Sequence, residues 1–333
     1  MIFLSIIIPH YNLPVELTER CIKSILEQKM QKESFEVIVV DDGSLQPPLW
    51  IEEQFPDAPL RVIQAPHQGL GGARNRGIEE ARGRYLQFVD ADDSLIPNSL
   101  APCIELLHKE QPQILRIKYI VKHNDKTAPR TITTRLKTSN TISGAQFMIQ
   151  EHLPGTACSY LFERNVVMKH NLRFEPGVYH EDEEFSTKLH YYATSLVCCN
   201  AAVYNYHIRP GSITANKNRS FEEKRINDFL SLIDRLAAFR NEHKTQSNII
   251  QRRGLDHKLT MLAVDAILNL MYDGRSAKEI HHICTTRLQA SGLYPLPTAP
   301  YVFKYKIFRL FANSKFGLQL LRLLLPRHKP AKR

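Results

Sequence analysis

The sequence predicts an α/β fold: a mostly parallel central sheet with helices on both faces, followed by a C-terminal helical region. Three observations carry this reading. Apolar runs at 2–8, 35–40, 60–65, 84–89 and 113–119 have the length of buried strands. Helix-patterned stretches lie between them, notably 15–28, with Leu17, Cys21, Ile22, Ile25 and Leu26 on one face, and the Ala-, Arg- and Glu-rich 70–82. From about residue 219 the pattern turns helical, over 219–241, 246–272 and 275–288. Buried strands alternating with helices pack as a parallel sheet, because each crossover helix lies on a sheet face and covers it.

The first run, ending at Pro9, is too short to cross a membrane and has no basic leader, so it reads as a strand of a chain that stays in the cytosol. The second is stopped by Asp41-Asp42-Gly43-Ser44, the third is weaker, and the fourth is stopped by Asp90-Ala91-Asp92-Asp93. Residues 120–140 are polar and read as an exposed excursion, and 157–214 resume a strand–helix mixture with a helix over 185–192. Pro295, Pro297 and Pro300 break the helical region before a last amphipathic segment, 301–325.

With 333 residues, 43% of them hydrophobic, the chain can build one large α/β domain and an appendage. A charged fraction of 23% excludes disordered and fibrous classes. The six cysteines (Cys21, Cys103, Cys158, Cys198, Cys199, Cys284) have no zinc-ligand spacing and read as reduced thiols. The net charge of +10 is local. No acidic residue follows Glu279, while 280–333 carry ten Lys and Arg, leaving 34 basic and 34 acidic side chains elsewhere.

In parallel sheets ligands bind beyond the carboxyl ends of the strands. Here three strand ends deliver polar clusters there: Pro9-His10-Tyr11-Asn12, Asp41-Asp42-Gly43-Ser44 and Asp90-Ala91-Asp92-Asp93. Asp90 and Asp92 put two carboxylates on one side of an extended turn, which suits Mg²⁺ or Mn²⁺ bridging to a diphosphate. No Walker-type phosphate loop occurs, so a metal would have to neutralise that diphosphate. Asp42 could accept a hydrogen bond from a pyrimidine N–H, or it could cap backbone amides as a turn residue. Gly69-Leu70-Gly71-Gly72 allows close backbone approach, and Arg74 could reach base or phosphate; the match to a dinucleotide fingerprint is loose, so a dehydrogenase is rejected. In Glu181-Asp182-Glu183-Glu184 the acids complement a helix N-terminus or supply a general base, since crowded like charges raise one carboxyl's pKa.

These segments together resemble glycosyltransferase family 2, inverting nucleotide-sugar enzymes with the GT-A fold. The resemblance covers roughly 1–215. It runs through Ser5–Asn12, Val39–Ser44, Gly72–Asn75, Phe88–Asp93, Glu181–Phe185 and Tyr206–Thr214, in order and spacing. It implies that Pro9, Tyr11 and Asp42 surround the nucleoside base and that Arg74 holds base or phosphate. Asp90 would contact ribose or metal-bound water, and Asp92 would bind the metal. Asp182 would be the catalytic base. His207 would touch diphosphate or metal and Arg209 the diphosphate, although Arg209 is offset from the family's Tyr-Tyr-Arg pattern. The implied organisation is a catalytic domain at 1–215, with a nucleotide-sugar half to about 115 and an acceptor half at 116–215. A helical region at 216–300 and a basic amphipathic segment at 301–333 follow.

The expected reaction moves a sugar from a nucleotide-sugar, UDP by default, to a hydroxyl of a glycan or lipid-linked glycan, as in bacterial surface polysaccharide synthesis. The competing readings are an inactive nucleotide-sugar-binding protein and a membrane-associated scaffold; the presence of every expected acid favours the enzyme. In 301–325, large apolar side chains interleave with Lys304, Lys306, Arg309, Lys315 and Arg322. That pattern fits a helix lying on an anionic leaflet, which would put the enzyme on the inner face of the cytoplasmic membrane. A homodimer interface competes with it, and no motif supports nucleic acid.

Overall fold

The computed structural model describes residues 2–123, 137–151, 155–209, 218–298 and 303–324. Most of the polar excursion, Pro210–Thr214, Pro300 and the last nine residues lie outside them. The strands are β1 (Leu4–His10), β2 (Phe35–Asp41), β3 (Leu60–Gln64), β4 (Tyr85–Phe88), β5 (Ser94–Leu95), β6 (Ile114–His123), β7 (Tyr160–Glu163) and β8 (Leu196–Ile208). The helices are α1 (Val15–Leu26), α2 (Trp50–Gln54), α3 (Gly69–Glu80), α4 (Ala101–Glu110), α5 (Gly144–Gln150), α6 (Arg164–Lys169), α7 (Glu181–Tyr192), α8 (Arg219–Glu242), α9 (Ile249–Tyr272), α10 (Ala277–Ile283), α11 (Phe303–Ala312) and α12 (Lys315–Leu324). They form two compact units, one of residues 1–147 and 154–216 and one of 148–153 and 217–333.

In the first unit eight strands make one sheet in the order β3-β2-β1-β4-β7-β6-β8-β5. The β3–β2–β1–β4 half is parallel, as the strand–helix alternation predicts. The other half is mixed: β7 is antiparallel to both β4 and β6, and β5 is antiparallel to β8. A parallel neighbour needs a crossover connection. The sequence supplies one for each of the first strands, whereas β5 follows β4 directly. Strands β1 and β2 are buried throughout, with Ile6, Ile7, Ile8 and Val37–Val40 at zero exposure. Helix α1 turns Thr18, Cys21, Ile22 and Ile25 inward at helical spacing. Helix α3 packs so tightly on β1 that a Cβ on Gly77 would lie 2.2 Å from Ile7 Cγ2.

Two local departures from the sequence reading matter for the site. Strand β1 runs through Pro9 to His10 instead of stopping at the proline. Its pairing with β4 ends at Ile7, while its pairing with β2 continues to His10. The missing proline N–H therefore interrupts no ladder on the β4 side. Helix α7 starts at Glu181, not at 185, so all four consecutive acids lie in its first turn, where the helix dipole favours them.

The second unit is helical. Helices α9 and α10 begin with capping boxes, Asn248 with Gln251 and Ser276 with Glu279. The amphipathic segment expected at 301–325 is two short helices, α11 and α12. The break is held by Asn313, whose Oδ1 accepts from Leu296 N–H at 2.7 Å, and by Gly317, where a Cβ would lie 2.1 Å from the Phe311 carbonyl oxygen.

Candidate active site

Strand order reverses between β1 and β4: the chain runs outward from β1 to β2 and β3, then returns to place β4 on the other side. Such switch points open a crevice at the carboxyl edge of the sheet. The tips of β1, β2 and β4 border it.

At the tip of β1, Pro9 is buried in the strand, while Tyr11 is nearly half exposed. The Tyr11 ring stacks on His67, with centroids 4.3 Å apart and planes 22° from parallel. Asn12 has positive φ and is locked by Ser44, whose Oγ accepts its N–H at 2.8 Å. Asp41 and Asp42 are both buried. Asp42 spends its carboxylate locally. Its two oxygens accept the N–H groups of Gln68 and Gly69, each at 2.8 Å, and Oδ2 lies 2.8 Å from His67 Nδ1. Of the two roles open to Asp42 in the sequence, the capping role is the one these contacts display.

Arg74, on α3, is buried, and burial would lower its pKa. The carboxylates of Asp90, Glu181 and Asp182 outweigh that and hold it above the usual guanidinium range. Its Nη2 donates to Asp90 Oδ1 at 2.9 Å and its Nη1 to Glu181 Oε1 at 2.7 Å. Its guanidinium also sits 5.7 Å from the Phe88 ring centroid and 5.4 Å from that of Phe174. This cation, expected at base or phosphate, ties the tip of β4 to the start of α7, across 107 residues of sequence.

The three aspartates after β4 divide their tasks. Asp90 faces Arg74. Asp92 Oδ2 accepts from Arg209 Nε at 2.8 Å, and its pKa is raised by burial and by Asp90 against the pull of Arg209. Asp93 is fully buried. It accepts from Tyr204 OH at 2.5 Å and from the His207 backbone N–H at 2.8 Å, and burial followed by repulsion from Asp90 pushes its pKa up to about 8. Asp93 and Tyr204 thus brace the acidic turn against β8. The His207 ring places Nε2 2.9 Å from Ser94 Oγ, so that nitrogen is engaged by a hydroxyl.

No group of three or more His, Cys, Asp or Glu side chains able to hold a metal occurs among the described residues. Mg²⁺ and Mn²⁺ do not require one. They take one or two carboxylates together with waters and substrate phosphates. Asp90 and Asp92 each commit one oxygen to an arginine and leave the other without a side-chain partner among the described residues. Two hard oxygen donors at one strand tip fit such a cation.

Helix α7 presents Asp182. The residue is partly exposed, unlike Glu181, Glu183 and Glu184, which are buried. Oδ1 accepts the Glu183 N–H at 2.9 Å, and Oδ2 has no hydrogen-bond partner among the described residues. Burial, then Glu181, lifts its pKa well above the carboxylate range, with Arg74 opposing them. The sequence reading did not reach His67, nor the bracing by Asp93 and Tyr204, nor the pairing of Glu181 with Arg74. Glu181 and Asp93 carried a signal, their positions beside Asp182 and Asp92.

The profile of Glycosyl transferase family 2 matches residues 5–169. An uncharacterized glycosyltransferase of Haemophilus influenzae is 30% identical over 190 residues, covering 56% of this chain and 70% of that one. The chain belongs to glycosyltransferase family 2. Its fold is that of solved family structures. TarS residues 1–349 of S. aureus, in complex with UDP-GlcNAc, superposes with a TM-score of 0.61 at 19% identity, covering 87% of this chain and 89% of that one. The mannosyltransferase PcManGT of Pyrobaculum calidifontis, in complex with GDP-Man and Mn²⁺, gives 0.56 at 16% identity, covering 96% and 86%. The family profile spans the β1, β2 and β4 tips that border the crevice at the β1–β4 switch point. The family profile ends before α7, which carries Asp182.

Proposed function

We propose that this glycosyltransferase is a metal-assisted inverting enzyme. It would move a sugar from a nucleotide-sugar, a UDP-sugar by preference, to a hydroxyl of a glycan or lipid-linked glycan. The observation that carries the reading is the Arg74 bridge. One buried cation bonds Asp90 on the donor side and Glu181 on the helix that bears Asp182, so donor and base are held at one edge. In this reading residues 1–115 form the nucleotide half and 116–215 the acceptor half, with Pro9, Tyr11 and Asp42 at the base end.

Asp182 Oδ2 takes the proton of the acceptor hydroxyl. The oxygen's electron pair forms the bond to the anomeric carbon from the face opposite the diphosphate. The old carbon–oxygen bond breaks and its electrons leave with the diphosphate, so one displacement inverts the centre. A raised pKa makes Asp182 a stronger base at the cost of requiring a higher pH to ionise. Asp90 and Asp92 would hold Mg²⁺ or Mn²⁺, whose chemistry is to neutralise charge on the departing diphosphate. Arg209, held by Asp92, and His207 line the same strand end, where the resemblance puts leaving-group contacts. PcManGT, solved with Mn²⁺, supports the metal by analogy of fold. Turnover of a nucleotide-sugar panel with Mn²⁺ or Mg²⁺, with stereochemistry read by NMR, tests the reading. Retention of configuration, or no turnover of any donor, would overturn it.

We further propose that α11 and α12 place the enzyme on the inner, anionic face of the cytoplasmic membrane. No helix among the described residues is long and apolar enough to cross a membrane. Phe308, Ala312, Leu318 and Leu321 are buried, whereas Leu310, Phe316, Leu323 and Leu324 stand out at more than two thirds exposure beside Lys315 and Arg322. Large exposed apolar side chains among cations, with no acid after Glu279, match an anionic interface. The competing homodimer would bury the same residues and is separated by vesicle binding below.

A further inference from the structure

The contacts of Asp42 leave a question about the base end of the crevice: which group reads the nucleobase. The N–H groups of Gln68 and Gly69 already occupy the two Asp42 oxygens, and Nδ1 of His67 bonds the Asp42 carbonyl oxygen while lying 2.8 Å from Oδ2. His67 itself is more than half exposed and lies flat against the half-exposed Tyr11. Its position is held from below. Gly43, at φ +75°, brings the chain after β2 so close that a Cβ there would lie 3.0 Å from His67 N.

The tautomer of this ring follows from its neighbours. Nδ1 lies 2.8 Å from Asp42 Oδ2 and 3.0 Å from the Asp42 carbonyl oxygen, and both partners are acceptors. Nδ1 must therefore carry the hydrogen. In the neutral imidazole Nε2 is then a bare acceptor, and it has no hydrogen-bond partner among the described residues. The buried carboxylate thus holds an exposed ring in one orientation with an acceptor on its outer edge, beside an aromatic platform.

We propose that His67 is a specificity-determining residue for the nucleotide: with Tyr11 it forms the aromatic wall at the nucleobase, and its Nε2 accepts the ring N–H of a uracil base. Asp42 acts one step back, by fixing the tautomer. Uracil carries a hydrogen on N3, whereas cytosine presents a lone pair at that position, so Nε2 of the neutral ring, as an acceptor, favours the first and opposes the second. A site built around a substrate N–H discriminates strongly against an analogue lacking it, because a polar group is left unpaired.

This inference rests on the nucleotide-sugar reading, and the test separates the two. Calorimetric titration of the full-length protein with UDP and with CDP, in Mn²⁺, is compared with His67→Phe, which keeps an aromatic face without an acceptor, and with His67→Ala. The unchanged protein is expected to bind UDP at least about tenfold tighter than CDP, the worth of one hydrogen bond of about 1.4 kcal/mol. His67→Phe should lose that preference while keeping measurable affinity for both, and His67→Ala should weaken both further through loss of stacking. Because the ring is exposed, either variant should fold, and a thermal melt checks it. UDP affinity and UDP-over-CDP preference unchanged in His67→Phe would overturn the role of His67 and leave the transferase reading intact. Binding of neither nucleotide by the unchanged protein would overturn the uracil-reading role of His67 together with the UDP preference, leaving the donor panel to decide the transferase reading.

Discussion

Arg74→Met is the perturbation that most directly tests how this site is assembled. The substitution keeps much of the side chain's length and its place between Phe88 and Phe174, but it removes the cation that bonds Glu181 at 2.7 Å and Asp90 at 2.9 Å. Breaking a buried ion pair from one side costs about 3–5 kcal/mol, because the remaining charge stays buried and unpaired. Glu181 is that charge: its side chain is 8% exposed, and Arg74 is the partner that holds its pKa down against burial. The expected loss in a urea melt at neutral pH is therefore about 3–5 kcal/mol. Arg74→Lys restores charge without the two-pronged guanidinium and should recover only part of it.

The pH dependence fixes the sign. Glu181 has a folded pKa raised above its unfolded value, so its ionised form opposes folding and its contribution is most favourable below the unfolded pKa, near 4.3. Without Arg74 that pKa climbs further. The stability deficit of Arg74→Met should hence be largest at neutral pH and shrink as pH falls toward 4. Catalysis gives a second readout. Arg74 also opposes the upward shift of Asp182, so its loss should move the rising limb of the kcat/KM profile to higher pH. A variant within about 1 kcal/mol of the parent at neutral pH, below the cost of one uncompensated buried charge, with an unmoved rising limb, would refute the bridge as the element that joins donor side and base.

Three further outcomes follow from other parts of the chain. Asp182→Asn should cut kcat by about 10²–10⁴, the worth of a general base, while leaving UDP binding and the melting temperature near the parent values; undiminished transfer would remove Asp182 from the mechanism. Gly77→Ala should destabilise by about 1–3 kcal/mol in denaturant melts, since its Cβ would collide with Ile7 Cγ2 in the fully buried β1, and a neutral result would mean that α3 can lift off the sheet freely. Leu310→Glu with Phe316→Glu should abolish sedimentation with phosphatidylglycerol vesicles without changing turnover of a soluble acceptor; undiminished sedimentation would refute the membrane face, and a dimer in the parent that dissociates in the variant would favour the homodimer.

The parallel half of the sheet was legible because its strands are unbroken apolar runs and its helices carry their own periodicity. In the mixed half only β6, the apolar run at 113–119, stood out as a separate strand. Strand β5 is two residues long, below the length at which a pattern can be recognised, and β5 and β7 each lie against a longer strand, β8 and β6, that offers a ladder. Helix α7 was placed four residues late for a related reason. Its first turn consists of acids without apolar periodicity, and the field of the helix end, not a hydrophobic face, makes them helical.

The site divides along the same line. Asp90, Asp92 and Asp182 could be named as candidates because acids at a strand tip or a helix start are conspicuous in sequence. Their partners could not, because a partner is a relation across the fold. Arg74 meets Glu181 across 107 residues, and Tyr204 meets Asp93 across 111. Asp42 is the instructive case. Its position after β2 suggested direct contact with a base, yet the loop between β3 and α3 delivers two amide N–H groups to its two oxygens and sets the His67 imidazole against its carbonyl oxygen. A carboxylate is drawn to the nearest unsatisfied donors, and a helix N-terminus always supplies some. What an acid at such a place does for a ligand is then decided by what it orients, and here it orients a histidine that the strand-and-tip pattern gave no reason to notice.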